Sequence, residues 1–84
     1  MKTYTLSNVE AQKSYMVTFS VENEGSFIRL AIQQDTKRKV LSPWRYTTIG
    51  VATYRFAAPI DGTLIVEDKN NELLITDINV EEAV

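Results

Sequence analysis

Between residues 15 and 22, the large side chains of Tyr15, Val17, Phe19 and Val21 alternate with Thr18, Ser20 and Glu22. A period of two puts the first set on one side of an extended chain and the second on the other, the signature of a half-buried β-strand. Asn23, Glu24 and Gly25 follow as turn residues, and the alternation resumes at Ile28, Leu30 and Ile32. The two runs are predicted to pair as a β-hairpin, with Gly25 free to take a positive φ at its turn. A second hairpin is predicted from residues 63–67 and 73–78. With Asn70 and Asn71 as its turn, Leu64 and Val66 share a face with Leu73 and Ile75.

The remaining chain also reads as short strands. Residues 44–49 and 51–57 are rich in aromatic, Thr and β-branched residues, and they are predicted to be two strands interrupted at Gly50, or one strand bent there by a bulge. Pro43 has no N–H for a ladder, so it marks a strand start, an edge or a turn. Residues 59–62 (Pro, Ile, Asp, Gly) form a turn, since Pro fixes φ and Gly releases it. The polar stretch 33–39 is predicted to be a solvated loop or a strand that protrudes from the body. A strand opens the chain at residues 3–6, residues 7–13 form a loop or one helical turn, and residues 79–84 are expected to be a frayed or short helical tail. Six to seven short strands at a spacing near ten residues predict an all-β fold: a small antiparallel barrel, SH3-like or OB-like, or a two-sheet sandwich.

Length and composition narrow this further. The 84 residues provide for one hydrophobic core, so residues 1–84 are expected to form a single domain. At this size roughly 60–65% of the unfolded surface is buried on folding, so stability is modest and a partner subunit would add to it. Apolar residues make up 44% and charged residues 24%, ordinary values for a globular chain. Cysteine is absent, so no disulfide supports the fold, and a reducing compartment suits it. The first residues lack an apolar run of secretory length and no stretch is long enough to span a bilayer, which points to the cytoplasm and away from a membrane.

The net charge of −2 conceals an uneven distribution. Residues 1–25 carry −1, from Lys2 and Lys13 against Glu10, Glu22 and Glu24. Residues 26–60 carry +5, from Arg29, Lys37, Arg38, Lys39, Arg45 and Arg55 against Asp35. Residues 61–84 carry −6, from Lys69 against Asp61, Glu67, Asp68, Glu72, Asp77, Glu81 and Glu82. The chain is basic in its middle and acidic at its end.

Histidine is missing along with cysteine, which removes the commonest general base, metal ligand and nucleophile. No catalytic residues, cofactor or metal site are therefore assigned, and the carboxylates at 67, 68, 72 and 77 lack the spacing of a calcium loop. The candidate binding residues are Lys37, Arg38, Lys39, Trp44, Arg45, Tyr46 and Arg55. Cations interleaved with aromatics can hold single-stranded nucleic acid, with phosphates on Lys and Arg and bases stacked on rings. Against this, strand alternation places Trp44 and Tyr46 on one face and Arg45 on the other, and large aromatics more often serve packing. The acidic last third reads as cross-strand partners for the arginines or, at lower weight, as an imitation of a nucleic-acid backbone that would inhibit a nucleic-acid-binding protein. An unpaired strand edge could recruit another chain or a second copy as a homodimer.

The expectation from sequence is a non-enzymatic protein-interaction module: a subunit, adaptor or inhibitor of a larger assembly, with another protein as its partner. Its size and lack of signature are those of small accessory proteins of phages and mobile elements. A nucleic-acid-binding barrel using residues 37–46 is the second reading.

Overall fold

The computed structural model describes residues 1–83, which form eight strands and no helix. In chain order they are β1 (Lys2–Val9), β2 (Ser14–Val21), β3 (Phe27–Gln34), β4 (Lys37–Val40), β5 (Arg45–Tyr46), β6 (Gly50–Ala57), β7 (Gly62–Asp68) and β8 (Ile75–Ala83). One sheet has the order β1-β7-β3-β4, with β5 also paired to β3; the other has the order β6-β2-β8. Every pairing is antiparallel.

The pairing path does not close, so the expected barrel is not found, and the arrangement fits the alternative, a two-sheet sandwich. The strands number eight, not six or seven, because the polar stretch 33–39 supplies one of its own, β4. The expected frayed or helical tail is instead the end of β8, paired to β2 as far as Ser14 opposite Ala83. Residue 84 lies outside the described residues.

Alternation correctly located β2 and β3 and the faces they bury, whereas of the strand expected over residues 44–49 only Arg45–Tyr46 forms, as β5, and β6 begins at Gly50. Tyr15, Val17, Phe19 and Val21 of β2 meet Ile28, Leu30 and Ile32 of β3 and Leu64 and Val66 of β7 in one core, with Leu73 beside them. Phe19, Ile28, Leu30, Ile32, Leu64 and Leu73 are fully buried, each contributing about 1.5–3 kcal/mol of apolar transfer free energy.

Both predicted hairpins are absent. β2 pairs with β6 and β8, whereas β3 pairs with β7, β4 and β5, so residues 22–26 form an arch from one sheet to the other. Residues 69–74 likewise carry the chain from β7 into the opposite sheet. The physical cause of the second arch is visible at Asp68, whose carboxylate accepts from the N–H groups of Asn70 at 3.0 Å and Leu73 at 2.8 Å. This turns the backbone away from β7 before it can fold back. Asn23 ties the two arches together, donating to the Glu72 carbonyl at 2.7 Å and accepting from the Leu74 N–H at 2.8 Å.

The one hydrogen-bonded pair of consecutive strands is β3–β4, where Gln34 opposite Lys37 leaves Asp35 and Thr36 as a two-residue turn. The polar stretch 33–39 is thus a strand hairpin, the second of its two predicted forms. β4 and β5 are two halves of one edge strand along β3. Leu41 still donates to the Leu30 carbonyl at 2.8 Å, and the strand breaks at Pro43 before resuming opposite Ile28. The first strand is also longer than expected, running through residue 9.

Candidate functional site

The seven candidate residues do not form one surface: Arg38, Trp44 and Tyr46 share a face, and the other four lie elsewhere. Arg38 faces outward from the five-stranded sheet, opposite Gln33 and one strand away from Glu67. Tyr46 shares that outer face through its pairing with Phe27, and their rings meet edge to face at 5.3 Å. Trp44 lies on the same side, half-buried, with the Arg29 guanidinium 4.2 Å and the Lys69 ammonium 5.6 Å from its ring centre. Lys37 and Lys39 are exposed on the opposite side of β4, since alternate residues of a strand point apart. Arg45, paired with Ile28, sits on the inner side, and its guanidinium lies 5.5 Å from the Tyr54 ring. Arg55 is on the outer face of the other sheet, opposite Met16.

Much of the basic charge near the aromatics is already neutralised. Glu67, 1% exposed, accepts from Arg29 Nε at 3.1 Å and from Arg38 Nη1 at 3.1 Å. Two guanidiniums therefore serve one buried carboxylate, and one of them also covers Trp44. This leaves less cation and less ring surface for phosphates and bases than the sequence suggests. Arg29, Glu67, Lys69 and Phe27 were not among the candidates. Strand parity alone would have placed Phe27 with Arg29 on one face; the position of Glu67 beside them depends on which strands pair.

A different concavity is better formed. A small solvent-open cleft of about 40 Å³ lies between β5 and the first half of β6, lined by Val21 and Ile28, by residues 45–48 on one side and by Val51, Ala52 and Tyr54 on the other. The Tyr54 hydroxyl is buried and has no hydrogen-bond partner. Its burial pushes the phenol above the ordinary tyrosine value, an effect that the adjacent Arg45 guanidinium partly offsets. Two of the lining residues carry large side chains that face solvent, Tyr46 at 52% and Val51 at 72%, and Ile49, between them in the chain, is 67% exposed. No group of three or more His, Cys, Asp or Glu residues converges as a metal would need among the described residues, and no helix is long and apolar enough to cross a membrane.

No protein-family model, curated protein or solved structure matches the chain.

Proposed function

We propose that the protein is a non-enzymatic interaction module, a subunit, adaptor or inhibitor that docks on another protein. The observation that carries this reading is the cleft between β5 and β6, whose lining residues Tyr46 and Val51 are exposed over half their surface, with the exposed Ile49 between them in the chain. Exposed apolar side chains scattered singly need no explanation, but large apolar groups that border a concavity are a common feature of interaction sites. A reducing compartment such as the cytoplasm suits it, because the fold has no disulfide to lose.

The second reading, a nucleic-acid-binding surface, is favoured by the outer face of the five-stranded sheet, where Trp44, Tyr46, Phe27 and Arg38 lie together. One experiment separates the two: capture from lysate with and without nuclease, using wild type, Lys37/Arg38/Lys39→Ala and Ile49→Lys/Val51→Lys. The interaction module predicts a defined protein that survives nuclease, is kept by the alanine variant and is lost from the lysine variant. Recovery of nucleic acid alone, lost with the alanine variant, would establish the second reading.

A further inference from the structure

The two sheets together expose four strand edges, and three carry features that discourage another strand from pairing. β1 has a register break between Thr5 and Ser7, with Leu6 as the extra residue. The β4–β5 edge presents Lys37, Arg38 and Lys39 and is broken at Pro43. β8 has a register break opposite Thr18 and Ser20, holds Asp77 at φ 53° and carries Asp77, Glu81 and Glu82. Bulges, prolines and charges are the usual means by which native edges resist unwanted pairing.

β6 is the least guarded of the four. Its eight residues pair with β2 without a register break, contain no proline and carry one charge, Arg55. No strand other than β2 runs beside it among the described residues. We propose that the free edge of β6, with the cleft beside it, accepts one extended acidic segment of a partner protein as an added strand. This rests on the interaction-module reading and names the partner's chemistry.

Alternate residues of β6 turn their N–H and C=O groups away from β2, which gives an incoming strand its ladder. Side chains of that strand would alternate between the cleft and the outer face beside Thr53 and Arg55. Each side offers a cation, Arg45 in the cleft and Arg55 outside. Neither is in an ion pair among the described residues, and no carboxylate lines the cleft. The unpartnered Tyr54 hydroxyl is a further donor for a carboxylate reaching inward. The cleft is small, about 40 Å³, room for a few waters or the tip of one side chain, so the ladder along β6 carries most of the binding. A second copy is a poorer occupant: β6 against its own symmetry mate would bring two Arg45 and two Arg55 side chains together with no acid to offset them.

The test is an NMR titration of the isotopically labelled full chain with an end-capped nonapeptide alternating Val and Glu, its Val/Lys counterpart, and a Val/Glu version N-methylated at alternate amides. The Glu peptide at about 1 mM should shift the amides of residues 50–57 and slow exchange of those facing away from β2, with an affinity that falls as salt rises. The Lys peptide should bind at least about tenfold more weakly, the N-methylated peptide should not bind, and Arg45→Glu/Arg55→Glu should reverse the Glu/Lys order. Unchanged β6 amides, or equal binding of both charged peptides, overturns the proposal. So does a free protein that sediments as a dimer with its β6 amides already protected. If wild type and the double glutamate variant capture the same protein from lysate while the peptides fail, the edge is excluded and the interaction module stands. Loss of capture and peptide binding together excludes both.

Discussion

Glu67 and Asp68 are consecutive in β7, both are withdrawn from solvent, and each is compensated differently. Glu67 points to the outer face and is held by Arg29 and Arg38, while Asp68 points toward the core and accepts two backbone N–H groups. Glu67→Gln keeps the shape but removes the charge that pairs both guanidiniums. Because Arg29 and Arg38 are partly exposed and can turn to water, a loss of about 2 kcal/mol is expected in urea unfolding. Asp68→Asn puts an amide donor against an N–H, so a similar loss, about 2 kcal/mol, is expected, together with faster hydrogen exchange at Leu73. Tyr54→Phe should be neutral or stabilise by up to about 1 kcal/mol, since it deletes a buried hydroxyl with no partner. The same substitution tests the direction of the Tyr54 shift. A phenol whose folded pKa is raised keeps its full contribution below the ordinary value of 10.0. That contribution is lost as pH rises through the raised one, so wild type should lose stability above pH 10.0 more steeply than Tyr54→Phe. The cross-strand pairing of Glu67 with Arg29 was legible in the sequence as one reading of the acidic last third, whereas the burial of both acids and the role of Asp68 were not. A carboxylate's burial follows from its strand being central, and β7 is covered by β1 on one side and β3 on the other.

At the scale of elements, local pattern located the strands but not their partners. Alternation placed β2, β3 and β7 within a residue or two, because the period of side-chain direction belongs to the backbone itself. Hairpin expectations failed because the turns that join these strands are arches, fixed by Asp68 accepting from the nearby Leu73 N–H and by Asn23 bonding across the molecule to Leu74. A two-residue hairpin does occur at Asp35 and Thr36, with Asp35 at φ 52°. Asp35→Gly removes the penalty of that left-handed conformation and should raise the unfolding midpoint, a gain of about 0.5 kcal/mol. At the start of β7, Gly62 meets another strand closely. A Cβ there would lie 2.5 Å from the Gln33 carbonyl oxygen and 2.7 Å from a methyl carbon of Ile32. Gly62→Ala must push β7 away from β3, and a loss of about 2–3 kcal/mol is expected in the same unfolding assay.

At the scale of the whole molecule, the chain passes from one sheet to the other at most of its connections, so little of the structure can form before distant segments meet. Loop closure must precede those contacts, and refolding followed by the fluorescence of the single tryptophan, Trp44, should be slow, in the millisecond-to-second range. The basic middle and acidic end also acquire a meaning that sequence order hides. Arg29 and Arg38 from the middle close on Glu67 from the end, leaving Arg45 and Arg55 unpaired beside the β6 edge. The sequence by itself determined that the protein is all-β, which residues form its core and that it lacks histidine and cysteine, since these depend on backbone periodicity and residue identity. The tertiary structure alone decided which strands pair, that the sheets remain open, which charges are consumed in the fold and which edge is left free. Those features arise from contacts between segments tens of residues apart, and no local pattern encodes them.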